Sequence, residues 1–134
     1  MAFWLLKTEP SSFSYGDLER RKRAVLDGVT NNTALMHIRS MRKGDTALIY
    51  HSGGQKSIVG RAEIVSDPYP DPKGGNAKLV VIDVAPAGLL ARPVSLDTIK
   101  KAKEFASFGL VRFSRLSVMP VPATLWKKLL AMAN

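Results

Sequence analysis

Three short apolar runs, each tipped with polar groups, limit what this chain can fold into. Phe3-Trp4-Leu5-Leu6 leads into Lys7-Thr8-Glu9-Pro10, and Ile49-Tyr50 leads into His51-Ser52. The third, Ser114-Arg115-Leu116-Ser117-Val118-Met119-Pro120, stands near the end. None is long enough for a core helix or a membrane span. A continuous apolar run of this length suits a strand buried on both faces, finishing in groups that hydrogen-bond or carry charge. The chain must therefore build a sheet whose central strands are covered on both sides, which calls for helices.

The helices can be placed from local signals. Tyr15 to Arg23 reads as a short, strongly basic segment, helical or irregular. Asn31 or Asn32 can cap a helix carrying Leu35, Ile38 and Met41 at helical spacing, with Arg39, Arg42 and Lys43 at its negative end and Gly44 placed to stop it. Thr46 to Tyr50 and Ser57 to Ser66 predict a hairpin through Gly53-Gly54. The three prolines of Asp67-Pro68-Tyr69-Pro70-Asp71-Pro72-Lys73-Gly74-Gly75 remove donors and fix the backbone, so this stretch is expected to be a surface loop, the longest in the chain. Lys78 to Val84 predicts a third long strand, Ser95 a cap for a short helix through Lys101, and Phe113 to Val118 a returning strand. Ala123 to Met132 predicts a closing helix with Leu125, Trp126, Leu129 and Leu130 on its apolar side. The expected fold is one α/β (α+β) domain over residues 1–134, a small mixed β-barrel with helices around it.

Charge narrows the partner. Twenty Lys and Arg stand against eleven Asp and Glu, a net charge of +9. Such an excess concentrates polyanions and speeds encounter with them. The cations cluster at Arg20-Arg21-Lys22-Arg23, at Arg39, Arg42 and Lys43, at Lys100, Lys101 and Lys103, and at Arg112 and Arg115. The start of the chain has no basic region before its apolar run and reads as neither a signal peptide nor a membrane span, so a cytoplasmic location is expected.

Catalytic and metal chemistry find little support. There is no cysteine, hence no thiolate ligand, disulfide or cysteine nucleophile. The two histidines, His37 and His51, have no ligand spacing around them, and no metal or cofactor is expected. His51 and Ser52 are adjacent, so on a strand they point to opposite faces and cannot pair as base and nucleophile. Tyr50 and Ser52 should share a face, with His51 turned away.

Binding fits better. An extruded base needs a flat wall, hydrogen-bonding groups for its edge, and cations for flanking phosphates. Trp4 and Tyr50 are candidates for the wall. Ser52, Asn31, Asp27 and the backbone of Gly28 are candidates for the edge, and Lys7, Arg112 and Arg115 for phosphate. Most have a structural alternative: Trp4 as core, Tyr50 as a cap on the barrel, Ser52 as a strand-end hydrogen-bonding group, Lys7 with Glu9 as a surface pair, Arg115 as a bridge to a carboxylate such as Asp27, Asp27-Gly28 as a turn.

The Trp4 fragment, Asp27-Gly28-Val29, Arg39-Ser40-Met41-Arg42-Lys43-Gly44-Asp45, Ile49-Tyr50-His51-Ser52 and the Ser114 fragment stand in an order that resembles the EVE domain family, a branch of the PUA-like fold. The resemblance runs from Trp4 to about Trp126. It implies a PUA-like barrel, a non-enzymatic nucleic-acid-binding role with a modified or flipped base of DNA or RNA in a central cavity, and no membrane. It also implies that Thr8, Leu26 and Ser117 belong to the cavity with the residues above. General binding of structured RNA by shape and charge, or an enzyme acting on a small nucleotide, are the alternatives. The chain departs from the family pattern Trp-Asp-Gly-Val-Arg-Asn at two places, Leu26 for the tryptophan and Thr30 for the arginine. If that tryptophan stacks on the base, its loss removes roughly 1–3 kcal/mol.

Overall fold

A computed structural model describes all 134 residues. Strand β1 (Phe3–Thr8) lies inside the sheet, parallel to β3 (Thr46–His51) on one side and antiparallel to β7 (Val118–Pro120) on the other. That position explains its unbroken apolar run. Leu5 faces one core, while Trp4 and Leu6 face another. Parallel neighbours need a crossover. Here it is α1 (Tyr15–Arg21), β2 (Ala24–Leu26) and α2 (Asn32–Ser40). The hairpin partner β4 (Ser57–Ile64) then pairs with β6 (Val80–Ser95), which pairs with β2 and with the two-residue β5 (Tyr69–Pro70).

The strand order is β2-β6-β4-β3-β1-β7, with β5 attached to β6. The mixed sheet curls towards a barrel, as expected, but β2 and β7 stay unpaired edges and leave a seam. The first core, behind that seam, takes in Leu18 of α1 and Ala34 and Ile38 of α2. The second lies on the other face of the sheet. It is closed by α3 (Leu96–Lys101), a 3₁₀ turn (Lys103–Phe105), α4 (Gly109–Arg112) and α5 (Ala123–Met132), with Ile99, Phe105, Leu110 and Trp126 buried.

Local chemistry fixes these elements. Ser14 and Asp17 form a reciprocal capping box, Asp17 N donating to Ser14 Oγ at 3.1 Å and Ser14 N to Asp17 Oδ2 at 2.9 Å. Asn31 Oδ1 caps α2 by accepting from Ala34 N at 3.0 Å, and Ser95 Oγ caps α3 by accepting from Thr98 N at 3.2 Å. Gly60 has no side chain because the Tyr15 ring lies against it; a Cβ there would stand 2.5 Å from Tyr15 Cε2. The Tyr15 hydroxyl donates to Arg61 O at 2.7 Å and accepts from Gly88 N at 2.9 Å, bolting α1 across β4 and β6.

Several expectations need correction. The returning strand is not 113–118 but Val118–Pro120. Residues 109–112 are helical, and Leu116 N bonds Phe113 O in a turn that carries Ser114 and Arg115 outward. The third long strand runs 16 residues to Ser95, far beyond Val84. Its Pro86 and Pro93 are tolerated where β6 is irregularly paired with β4. Helix α2 ends at Ser40 with Met41 as its cap, so Gly44 (φ 98°) belongs to the turn into β3.

Candidate nucleic-acid interface

The open seam is a cleft of about 1190 Å³. One wall is the outer end of β1 with Ser117 and Val118; the other is β2 and the turn 27–31, with α1 behind. Lys7, Thr8, Leu26, Asp27, Gly28, Asn31 and Ser117 all line it. Gly28 (φ 77°) sits in the left-handed region that the turn after β2 requires. Asn31 has its side-chain carbonyl committed to the α2 cap, so only its amide can donate to a guest.

Thr8 is the informative polar group. Its Oγ1 is buried and has no hydrogen-bond partner. Leaving a buried hydroxyl unpaired costs about 1–3 kcal/mol, which a ligand acceptor or donor at this spot would recover. Around it the wall is apolar, with Leu6, Leu18, Ala24, Leu26, Ile49 and Val84.

Trp4, Tyr50, Ser52, Arg112 and Arg115 do not line the cleft. Trp4 is core, its Nε1 donating to Asp45 Oδ2 at 3.0 Å. Tyr50 does point away from His51, but the face it shares is the second core, among Leu5, Ile58 and Trp126. Burial there pushes its hydroxyl up from the ordinary tyrosine value. Ser52 continues the β1–β3 pairing, its N and Oγ both donating to Thr8 O at 2.9 and 3.3 Å. Arg112 lies 5.6 Å over its neighbour Phe113, and Arg115 is exposed and forms no ion pair with Asp27. His51, on the cleft face of β3, is structural: Nε2 accepts from Tyr15 N at 2.9 Å, and Nδ1 meets Gln55 Oε1 at 2.7 Å. With Nε2 accepting, Nδ1 is the ring nitrogen placed to donate to Gln55 Oε1.

Lys7 touches the cleft, yet alternation sends its ammonium to the other face of β1. There it sits 5.6 Å from the Tyr50 ring centroid and donates to Ser114 O at 2.9 Å. Burial pulls it below the ordinary lysine value. Glu9 makes no pair with Lys7; its Oε1 accepts from Ser11 N and Oγ at 3.0 and 2.9 Å, and these bonds hold the carboxyl below its usual range.

Sequence reasoning missed Phe13, Arg21, Arg23, Lys73 and Asp83 as cleft residues. The carboxylates among them and their neighbours are already satisfied. Asp27 Oδ2 pairs with Lys73 at 2.8 Å, and Asp83 Oδ2 with Arg23 at 2.8 Å. Asp83 Oδ1 also takes the Tyr69 hydroxyl at 2.5 Å, a bond that pushes Tyr69 up to about 12. Arg21 has no carboxylate partner, so the mouth keeps a free positive charge. Only four of the twenty cationic side chains take part in ion pairs at all. The Ser14-x-x-Asp17 box, which starts a helix at Tyr15 and runs it into Arg20–Arg23, was the signal available for this wall.

The EVE domain model matches residues 2–132. The chain belongs to the EVE domain family. Rat thymocyte nuclear protein 1 is 31% identical, over 89% of this chain and 68% of its own length. The NMR structure of a protein from Rhodopseudomonas palustris superposes with TM-score 0.94 at 39% identity, covering 99% of this chain and 93% of that one. Human thymocyte nuclear protein 1, solved in complex with DNA containing 5-methylcytosine, superposes with TM-score 0.91 at 25% identity, over 100% and 98% of the two chains. The PUA-like architecture expected from the sequence is thus the fold of this EVE domain. No helix is long and apolar enough to cross a membrane, and no group of three or more His, Cys, Asp or Glu is placed to hold a metal.

Proposed function

We propose that this EVE domain binds nucleic acid without chemistry and takes one extruded, modified base, a 5-methylated cytosine foremost, into the seam cleft. The observation that carries the reading is the unpartnered Thr8 hydroxyl in an apolar cleft whose mouth keeps an unneutralised arginine. The complex of the human relative with 5-methylcytosine DNA supports the choice of ligand. Extruding a base costs a few kcal/mol, least at damaged or mismatched positions. Hydrogen bonds to Thr8, Ser117 and the Asn31 amide, apolar contact for the methyl, and phosphate contacts at the mouth offset that cost. His51 and Ser52 are both engaged with backbone groups, which favours binding over catalysis.

The magnitudes separate the contributions. One buried methyl is worth about 0.8 kcal/mol, or roughly four-fold in affinity. Three phosphate contacts give a salt slope near −2.7, hence about a 40-fold loss between about 50 and 200 mM salt. The test is anisotropy titration of DNA and RNA oligonucleotides, with and without one 5-methylcytosine, at those two salt concentrations. Affinity that falls with salt and is a few-fold higher for the modified DNA supports the reading. Binding indifferent to modification but steeply salt-dependent would favour recognition of RNA by shape and charge, to which the basic cluster Lys100, Lys101 and Lys103 outside the cleft lends weight.

A further inference from the structure

We infer that Phe13, with Arg21 lying over it, is the stacking wall of the cleft; this inference rests on the nucleic-acid reading above. A base bound in a cleft needs a planar partner, and geometry removes the other candidates. Trp4 is tied into the Asp45 network and Tyr50 lies in the second core. Tyr15 lines the cleft, but it is only 2% exposed, with its ring against Gly60 and its hydroxyl doubly bonded. Position 26 holds a leucine. Phe13 remains: it is half-buried, lines the cleft and packs its inner side onto the first core.

Arg21 strengthens the assignment. In the run Arg20-Arg21-Lys22-Arg23, Arg20 pairs with Asp17 and Arg23 with Asp83. Arg21 has no carboxylate; its guanidinium carbon sits 5.3 Å from the Phe13 ring centroid, within the range of a cation–π contact. The capping box at Ser14 and the left-handed stop at Lys22 (φ 64°) hold both residues at the two ends of one short helix. At an exposed site this cation–π contact is weak and readily exchanged. On binding, the base takes the ring face and the guanidinium moves to a flanking phosphate, which is how arginine and aromatic residues divide single-strand recognition.

A bland role competes for Phe13. It stands just before the N-cap, where an apolar residue packs down as a hydrophobic staple. A staple requires apolar bulk but not a flat ring, so Phe13→Leu keeps the staple and removes the π face. The experiment compares wild type, Phe13→Leu and Arg21→Gln on two single-stranded DNAs of one sequence, carrying either a single 5-methylcytosine or an abasic site at that position. Circular dichroism checks the fold. The expected result is that Phe13→Leu weakens the base-containing strand about ten- to a hundred-fold and the abasic strand less than about two-fold. Arg21→Gln, a change at an exposed side chain, should weaken both strands and lower the salt slope by about one. Equal losses on the two strands with Phe13→Leu, or no loss on either, would overturn the stacking wall while leaving nucleic-acid binding intact. Should Phe13→Leu not fold, an Arg21→Gln salt slope equal to wild type overturns the inference. Wild type that binds neither strand overturns the functional reading itself, and the wall with it.

Discussion

Gly60→Ala probes the joint on which the cleft depends. The added Cβ would stand 2.5, 2.7 and 2.8 Å from Tyr15 Cε2, Cζ and Cδ2, distances that real Cβ contacts do not show. The obstacle is a rigid ring, 2% exposed and anchored at its far end, so it cannot swing away as a flexible chain would. Relieving the clash needs a shift of about 1 Å, which costs roughly 1–3 kcal/mol as overpacking. The same tilt carries the hydroxyl off Arg61 O or Gly88 N, and a buried bond left unmade adds roughly 1–3 kcal/mol. The total, roughly 2–6 kcal/mol, is a large part of the 5–15 kcal/mol that holds a domain together. For a domain of this size it corresponds to a fall in Tm of about 7–20 °C. Thermal melts followed by near-ultraviolet circular dichroism give the number. Because Tyr15 opens α1, which holds Phe13 and Arg21 at its ends, oligonucleotide affinity should fall as well, even well below Tm. Combining Gly60→Ala with Tyr15→Leu should cost less than the sum of the two, since the second change removes the obstacle. A Gly60→Ala Tm within about 1 °C of wild type would refute the packing argument.

Two further outcomes follow from the same geometry. Asp45, 6% exposed, accepts from Trp4 Nε1, Ala2 N and Arg42 N, each at 3.0 Å; burial alone would raise its pKa, but these bonds and the N-terminal charge outweigh burial and lower it. A lowered carboxyl contributes stability that is fully present above its unfolded value, near 3.9, and is lost as pH falls through the folded value. Urea unfolding at a series of pH values should therefore show wild type losing more stability below about pH 4 than Asp45→Asn does, and equal acid slopes would count against the network. Leu26→Trp should return a π face to the cleft and strengthen binding to a 5-methylcytosine oligonucleotide by about one to two powers of ten. A variant that folds yet binds unchanged would remove position 26 from the base site.

Local rules carried most of the fold because they act within a few residues. Phe3-Trp4-Leu5-Leu6 is a central strand since only a strand covered on both faces tolerates that run, and Asn31 and Ser95 cap the helices their side chains serve. The closing helix occupies the predicted span, Ala123–Met132, with Trp126 and Leu129 buried. What the sequence hid depends on distant partners. Strand β2 is three residues long and exists because β6 extends past it, and the turn at Phe113–Leu116 displaces a strand whose composition would have suited either place. Alternation correctly opposed Tyr50 to His51. It could not say which face holds the cleft, because that depends on which two sheet edges stay unpaired. Seven of the proposed ligand residues line the seam, since they sit on β1, just before β7, at the end of β2 and in the turn after it, which frame it. Trp4 and Tyr50 do not, and the aromatic ring that does line it without being locked into the core, Phe13, stands just before the basic segment and carried no signal of its own.

The same geometry bounds how selective the cleft can be. If the cleft takes a base as proposed, a methyl against Leu26, Val84 and their neighbours would discriminate about four-fold, whereas stacking on Phe13 would be worth about ten-fold for any base and phosphate contacts would serve every sequence equally. On the proposed function, affinity and selectivity would then come from different parts of the site. A larger preference for a modified base has to arise where wrong guests leave a polar group unpaired, because a missing hydrogen bond rejects far more strongly than a missing methyl. Thr8 is the group placed to do this: its hydroxyl has no partner of its own, so a guest that meets it is favoured over one that does not by the full cost of burying it unpaired. On this reading Thr8 reads the base edge, Leu26 and Val84 tolerate the modification, and Phe13 with Arg21 holds whatever base has been turned in.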